Sequence, residues 1–229
     1  ISWFEYLYLQ IKGKRLSNTQ SKLFEQLAIA LSNPGPRDHS VRAAMNAGVG
    51  GSTPASALMA ALAIGAGQYG GARELFLISQ MWHSYDKDID LWIKSLKEFP
   101  QKEERLDIWP QMEHPPGFQP YGKSSSTIVK QILDCLYHHA DKDGALSWLK
   151  SNQDILETAA GLPLSKTAVA AAAMNDLGFS PEESEMLYLL LRLPGVVAHT
   201  LERNEFGWRE HPFAHDGIQL TSSVNIKSK

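Results

Sequence analysis

GVGGSTPASALMAALAIGAGQYGGARE, Gly48 to Glu74, sets a helix of small side chains between two glycine-dense ends. Thr53 before Pro54 reads as an N-cap followed by proline at the first helical position. There the missing N–H costs nothing and the fixed φ suits the helix. Ala55 to Ala66 is almost wholly Ala, Leu, Met and Ile, a pattern that predicts a helix buried on every side. Small side chains let two backbones approach closely, so this helix is expected at a tight helix–helix contact between subunits. Gly65, Gly67, Gly70 and Gly71 then end it and set Tyr69 in permissive backbone, where another molecule can come near. The plainer reading of the same residues is a buried helix followed by a glycine-rich turn.

Helix signals run outward from this stretch in both directions. Ser17-Asn18-Thr19-Gln20 is a capping box for a helix to about Leu31, stopped by Asn33-Pro34-Gly35-Pro36. Asp38 can cap a helix over Ser40 to Ala47. Helical periodicity continues over about Ala72 to Trp82, Ile89 to Phe99, Thr127 to His139, Gly144 to Ala159 and Ser165 to Asn175. Ser180-Pro181-Glu182-Glu183 caps a long apolar helix ending near Arg203. Pro100 to Gly122 is proline-rich and reads as an irregular loop too long to be idle. No alternating run is long enough for a sheet. The chain is therefore expected to be all-α, about nine helices in one unit of residues 1–229 without a linker.

Composition narrows the function. At 229 residues the chain can bury one substantial core, and 43% hydrophobic with 21% charged residues is ordinary for a globular protein. A net charge of −3 and the lack of a basic helix face argue against a nucleic-acid partner. No stretch reaches the roughly 18 apolar residues of a membrane span. The single cysteine, Cys135, excludes an internal disulfide and fits the reducing cytoplasm. It stands in an apolar run and is expected to be a small buried hydrophobe. The chain begins at Ile1 rather than Met, so residues upstream of it are expected.

Four segments in order resemble the citrate synthase and citryl-CoA lyase superfamily, in its short, citryl-CoA-lyase-like branch. SWFEYLYLQIKGKRLS (Ser2 to Ser17) is similar to that family's opening helix and linker. The glycine-dense stretch around Tyr69 is similar to its Gly-Pro-Leu-His-Gly-Gly-Ala. PPGFQP (Pro115 to Pro120) is similar to its Pro-Gly-Phe-Gly-His loop. LYLLLRLPGVVAHTLE (Leu187 to Glu202) is similar to its Gly-Arg-x-x-Gly-x-x-Ala-His-x-Leu-Glu helix. The resemblance covers residues 2 to about 216. It implies an all-α fold with a large helical domain and a smaller helical subdomain, about residues 100–165. It also implies a homodimer, or a higher homo-oligomer, meeting on about Ser40 to Ala66.

The resemblance further implies a coenzyme A thioester as substrate, with a di- or tricarboxylate partner and no covalently bound cofactor. Joining or splitting a carbon–carbon bond there needs a base for an acetyl proton, donors to two carbonyl oxygens, and cations for carboxylates. Here the motif positions have changed. Tyr69 stands for one histidine, Pro120 for the other unless that position is deleted, and Lys166, in PLSKTAVAAAA, for the catalytic aspartate. Tyrosine can still donate a hydrogen bond to a thioester oxygen. Lysine serves as a base only if its pKa falls far below the free value. His39, beside Asp38, is the candidate for a relocated imidazole supported by a carboxylate.

Binding positions survive better. Gly117 and Phe118 keep the Gly-Phe pair, and Arg192 stands where the family's arginine meets a substrate carboxylate, which suits a guanidinium fork. Arg192 reads equally as a surface arginine snorkelling from an apolar helix. Arg209, in WREHP, lies near a second arginine position or is a solvated tail residue. No metal site is expected: His138 and His139 point about 100° apart on a helix, and Pro212 spoils the His211–His215 spacing. His199 is expected to be structural.

Two classes of function remain, since fold alone does not choose between them. The first is a CoA-thioester lyase or acyltransferase with altered or weak activity, carrying Tyr69, Lys166 and His39 as its reacting groups. The second is a non-catalytic ligand-binding or regulatory relative, or an inactive partner of a catalytic homologue.

Overall fold

The computed structural model describes residues 1–99 and 114–202. Arg209, most of the stretch Pro100 to Gly122 and the expected helix end near Arg203 lie outside the described residues. Among the described residues there are ten α-helices and no strand. They are α1 (Trp3–Lys12), α2 (Asn18–Ser32), α3 (His39–Val49), α4 (Pro54–Gly65) and α5 (Ala72–Tyr85). There follow α6 (Ile89–Lys97), α7 (Thr127–Tyr137), α8 (Ala145–Ala160), α9 (Lys166–Asp176) and α10 (Pro181–Leu201).

Most starts follow from local chemistry. Ser2, Ser17 and Ser180 each close a capping box with the Glu or Gln three residues on. Asp38, Thr53, Asp88 and Ser126 accept from the first free backbone N–H groups of their helices. The first backbone groups of α8 are served from a distance: Asp176, at the end of α9, accepts from the N–H of Ala145 and Leu146. Burial pushes the Asp176 carboxyl up despite those two bonds.

The helix buried on every side is α9, not α4. Every residue from Thr167 to Met174 is buried, and α2, α5, α7 and α8 pack around it. Its run of alanines leaves no side chain to hold neighbours away, so four helices can close on one axis. The core continues through Leu75, Ile78, Trp82, Leu146, Leu164, Leu187 and Tyr188. A smaller cluster of Val41, Ala44, Met45, Ala57, Ala61 and Val196 joins α3, α4 and α10.

Two expectations are corrected here. Within one chain α4 buries only Ala57, Ala61 and Gly65, while Met59 and Ile64 stand 62% and 51% exposed. Uniform apolarity revealed no facing direction, because it removes the periodicity that marks the inner face. Cys135 is exposed, with its thiol 3.5 Å from Gln26, because α7 turns Val129, Leu133 and Leu136 inward instead. No helix among the described residues is long and apolar enough to cross a membrane.

Candidate active site

Three chain segments converge on the start of α9, and the buried carboxylate of Glu74, in the first turn of α5, ties them together. It accepts from the N–H of Gly70 at 2.6 Å, the N–H of Gly117 at 2.9 Å and the Thr167 hydroxyl at 2.7 Å. An isolated antiparallel bridge between Phe118 and Leu164 adds to this. Beside it, the N–H of Gln119 donates to the Pro163 carbonyl at 2.8 Å and that of Ser165 to the Gly117 carbonyl at 2.9 Å. Gly117 has to be glycine. Its φ is +87°, and a Cβ would stand 2.3 Å from Ile78 Cδ1. Both of its backbone polar groups are thus taken within the protein, and its role is to let the loop close.

Arg192 is neither a surface residue nor part of the cleft lining. It is 3% exposed, on the inward face of α10. Its Nη2 pairs with Asp38 and donates to the Ser40 hydroxyl at 3.3 Å, and its Nη1 donates to the Gly70 carbonyl at 3.3 Å. The Tyr188 ring lies beneath the guanidinium, 4.8 Å from its carbon to the centroid, and the Tyr188 hydroxyl donates to the same Gly70 carbonyl at 3.2 Å. Burial pushes the Tyr188 phenol up to about 12. Asp38 is also buried, which raises its pKa. The Arg192 charge and the bonds from Ser40 outweigh this and hold it below the usual carboxylate value. The carboxylate beside His39 therefore caps α3 and anchors Arg192. It does not back the imidazole.

In front of this buried layer lies a cleft of about 870 Å³, within the range of small-molecule and cofactor sites. Arg37, His39, Tyr69, His114, Phe118 and Lys166 are among the side chains lining it. Lys166 is the first residue of α9 and is partly buried. No described residue forms a hydrogen bond or ion pair with its amine. Burial and then the Arg192 charge pull its pKa down to about 8, against the opposing pull of Asp38. Among the described residues no three His, Cys, Asp or Glu groups are placed to hold a metal ion.

Five of the sequence candidates thus meet around this cleft: Tyr69, Phe118, Lys166 and His39 in its lining, with Arg192 behind it. Reasoning from sequence missed His114 and Glu74. His114 is 3% exposed and packs against Tyr69 with ring centroids 5.7 Å apart. Its Nδ1 lies 3.0 Å from the Pro115 carbonyl, which can only accept, so that nitrogen carries the proton. Its place directly before the Pro-Pro-Gly-Phe loop was the signal available. Glu74 carried none, being one acidic residue in an ordinary first helical turn.

No protein-family model matches the sequence, and no curated protein does. Solved structures do match. The chain superposes over 100% of its length on citryl-CoA lyase from Hydrogenobacter thermophilus, with TM-score 0.67, 18% identity and 84% of that chain covered. The fold is that of citryl-CoA lyase and citrate synthase. Citrate synthase from Thermotoga maritima aligns with the whole chain at TM-score 0.66 and 16% identity, over 59% of its own length. An ATP citrate lyase from Methanothrix soehngenii, solved with citrate and coenzyme A, aligns at TM-score 0.68 and 17% identity over 38% of its length. This citrate-synthase-like fold accounts for the long α10 crossing α2, α3, α4 and α5, and for the sheet-free core around α9.

Proposed function

We propose that the protein binds a coenzyme A thioester together with a di- or tricarboxylic acid in the 870 Å³ cleft and acts on a carbon–carbon bond with altered chemistry. The observation that carries this reading is the charge balance of the cleft. The carboxylates of Asp38 and Glu74 are both engaged inside the protein, Asp38 by Arg192 and Glu74 by two N–H groups and a hydroxyl. Arg37 and Lys166 remain as lining cations, and an anionic ligand complements them. The citrate-synthase-like fold supports the same ligand class, since one protein that shares it was solved with citrate and coenzyme A. Of the expected subdomain of about 100–165, the described residues 114–165 would form the smaller helical part. We place a homodimer on α3 and α4, and the protein in the cytoplasm, in keeping with its free Cys135.

A non-catalytic, ligand-binding role is the second reading, and the engagement of both buried carboxylates favours it. Neither is left as a base for an acetyl proton, and Lys166 occupies the position the resemblance gives to one. Ligand binding is common to both readings. Melting the protein with and without coenzyme A, acetyl-CoA and citrate tests it, because whatever binds the folded state alone must stabilise it. A rise in Tm of several degrees at ligand concentrations near 1 mM is expected. No shift with any of the three contradicts the proposal.

A further inference from the structure

Lys166 deepens the reading of this cleft. Its amine sits in a ligand-sized cavity at the start of α9, with no hydrogen bond or ion pair from a described residue. A lysine kept for structure in such a place would be expected to hold a partner carboxylate. Here the carboxylate whose charge reaches the amine, Asp38, is taken by Arg192. Arg37 lines the same cavity and can meet a carboxylate, while His39 and His114 line it as groups able to pass protons. From this arrangement we infer that Lys166 captures the ketone of a small 2-oxo acid as a covalent imine.

The neutral amine attacks the carbonyl carbon. A C–N bond forms, and the carbonyl π pair moves to oxygen, which takes up the proton the nitrogen sheds. The resulting hydroxyl is protonated and leaves as water, and the nitrogen lone pair forms the C=N bond. Counted from the ammonium form, one lysine and one ketone give one protonated imine and one water, with no change in oxidation state. The positive nitrogen then draws electrons from the bound acid, the task that polarising donors to a keto oxygen otherwise perform. The availability of neutral amine agrees. At pH 7.5 a pKa of about 8 leaves about a quarter of Lys166 uncharged, against roughly one part in a thousand for a surface lysine.

This inference rests on the proposed cleft but not on coenzyme A, so the two can fail separately. The full chain is incubated with pyruvate, oxaloacetate or 2-oxoglutarate and sodium cyanoborohydride, then digested and mapped by mass spectrometry. The expected result is a reduced imine on Lys166 with at least one of the acids, at least about tenfold above the exposed Lys123 and Lys142. Lys166→Arg should abolish that adduct while keeping the native far-UV spectrum. No Lys166 adduct with any acid, or labelling equal to that of the surface lysines, overturns the inference whether or not coenzyme A stabilises the protein. A Lys166 adduct without any coenzyme A effect upholds the imine and removes the thioester reading.

Discussion

At the scale of single residues, Lys166 is a placement that costs stability, since burial and the Arg192 charge both disfavour its ammonium form. Its folded pKa of about 8 lies below the free value of 10.5. Between those two pH values the unfolded chain binds more protons than the folded one, so stability rises with pH across that window. The cost is therefore full below pH 8 and fades toward 10.5. Lys166→Met should raise unfolding free energy at pH 7 by about 1–3 kcal/mol, with most of the gain lost by pH 10. Urea titrations of both proteins at pH 7 and pH 10 measure it. A loss of stability at pH 7 would mean that the amine makes a contact that outweighs its burial.

At the scale of elements, caps and glycines were legible because their chemistry is local. Ser17 with Gln20, Thr53 with Pro54 and Ser180 with Glu183 each start a helix at the place their sequence signals. What local signals cannot carry is direction. α4 and α9 are both rich in small apolar residues, yet one buries a single face and the other is enclosed. The difference lies in which helices pack around each. Arg192 likewise reads as surface or ligand-facing from sequence, and only the packing of α10 on α3 turns it toward Asp38. The outward face of α4, with Met59 and Ile64 exposed, is the place for the proposed subunit contact. Met59→Glu should convert a dimer to monomer in light scattering after size exclusion, with helicity unchanged. An unaffected dimer would put the contact elsewhere, and a monomeric wild type would remove it.

At the scale of the whole molecule, segments distant in sequence are brought to one cleft by helices whose order the sequence already showed. The shell of the site was therefore readable from motifs, whereas its electrostatics were not, because Glu74 meets Gly117 and Thr167, and Arg192 meets Asp38, across 43 to 154 residues of chain. Those pairings leave a ligand-sized cleft with cations, imidazoles and tyrosines, but, among the described residues, no free carboxylate base. The decisive measurement is therefore a direct assay of acetyl-CoA with oxaloacetate, and of citryl-CoA cleavage, run beside a citrate synthase. The expected rate is lower by at least about 10²–10⁴-fold, the usual worth of a general base. Turnover comparable to that enzyme would show that Lys166, His39 or His114 performs the ordinary proton transfer, and would contradict the altered chemistry assigned to this cleft.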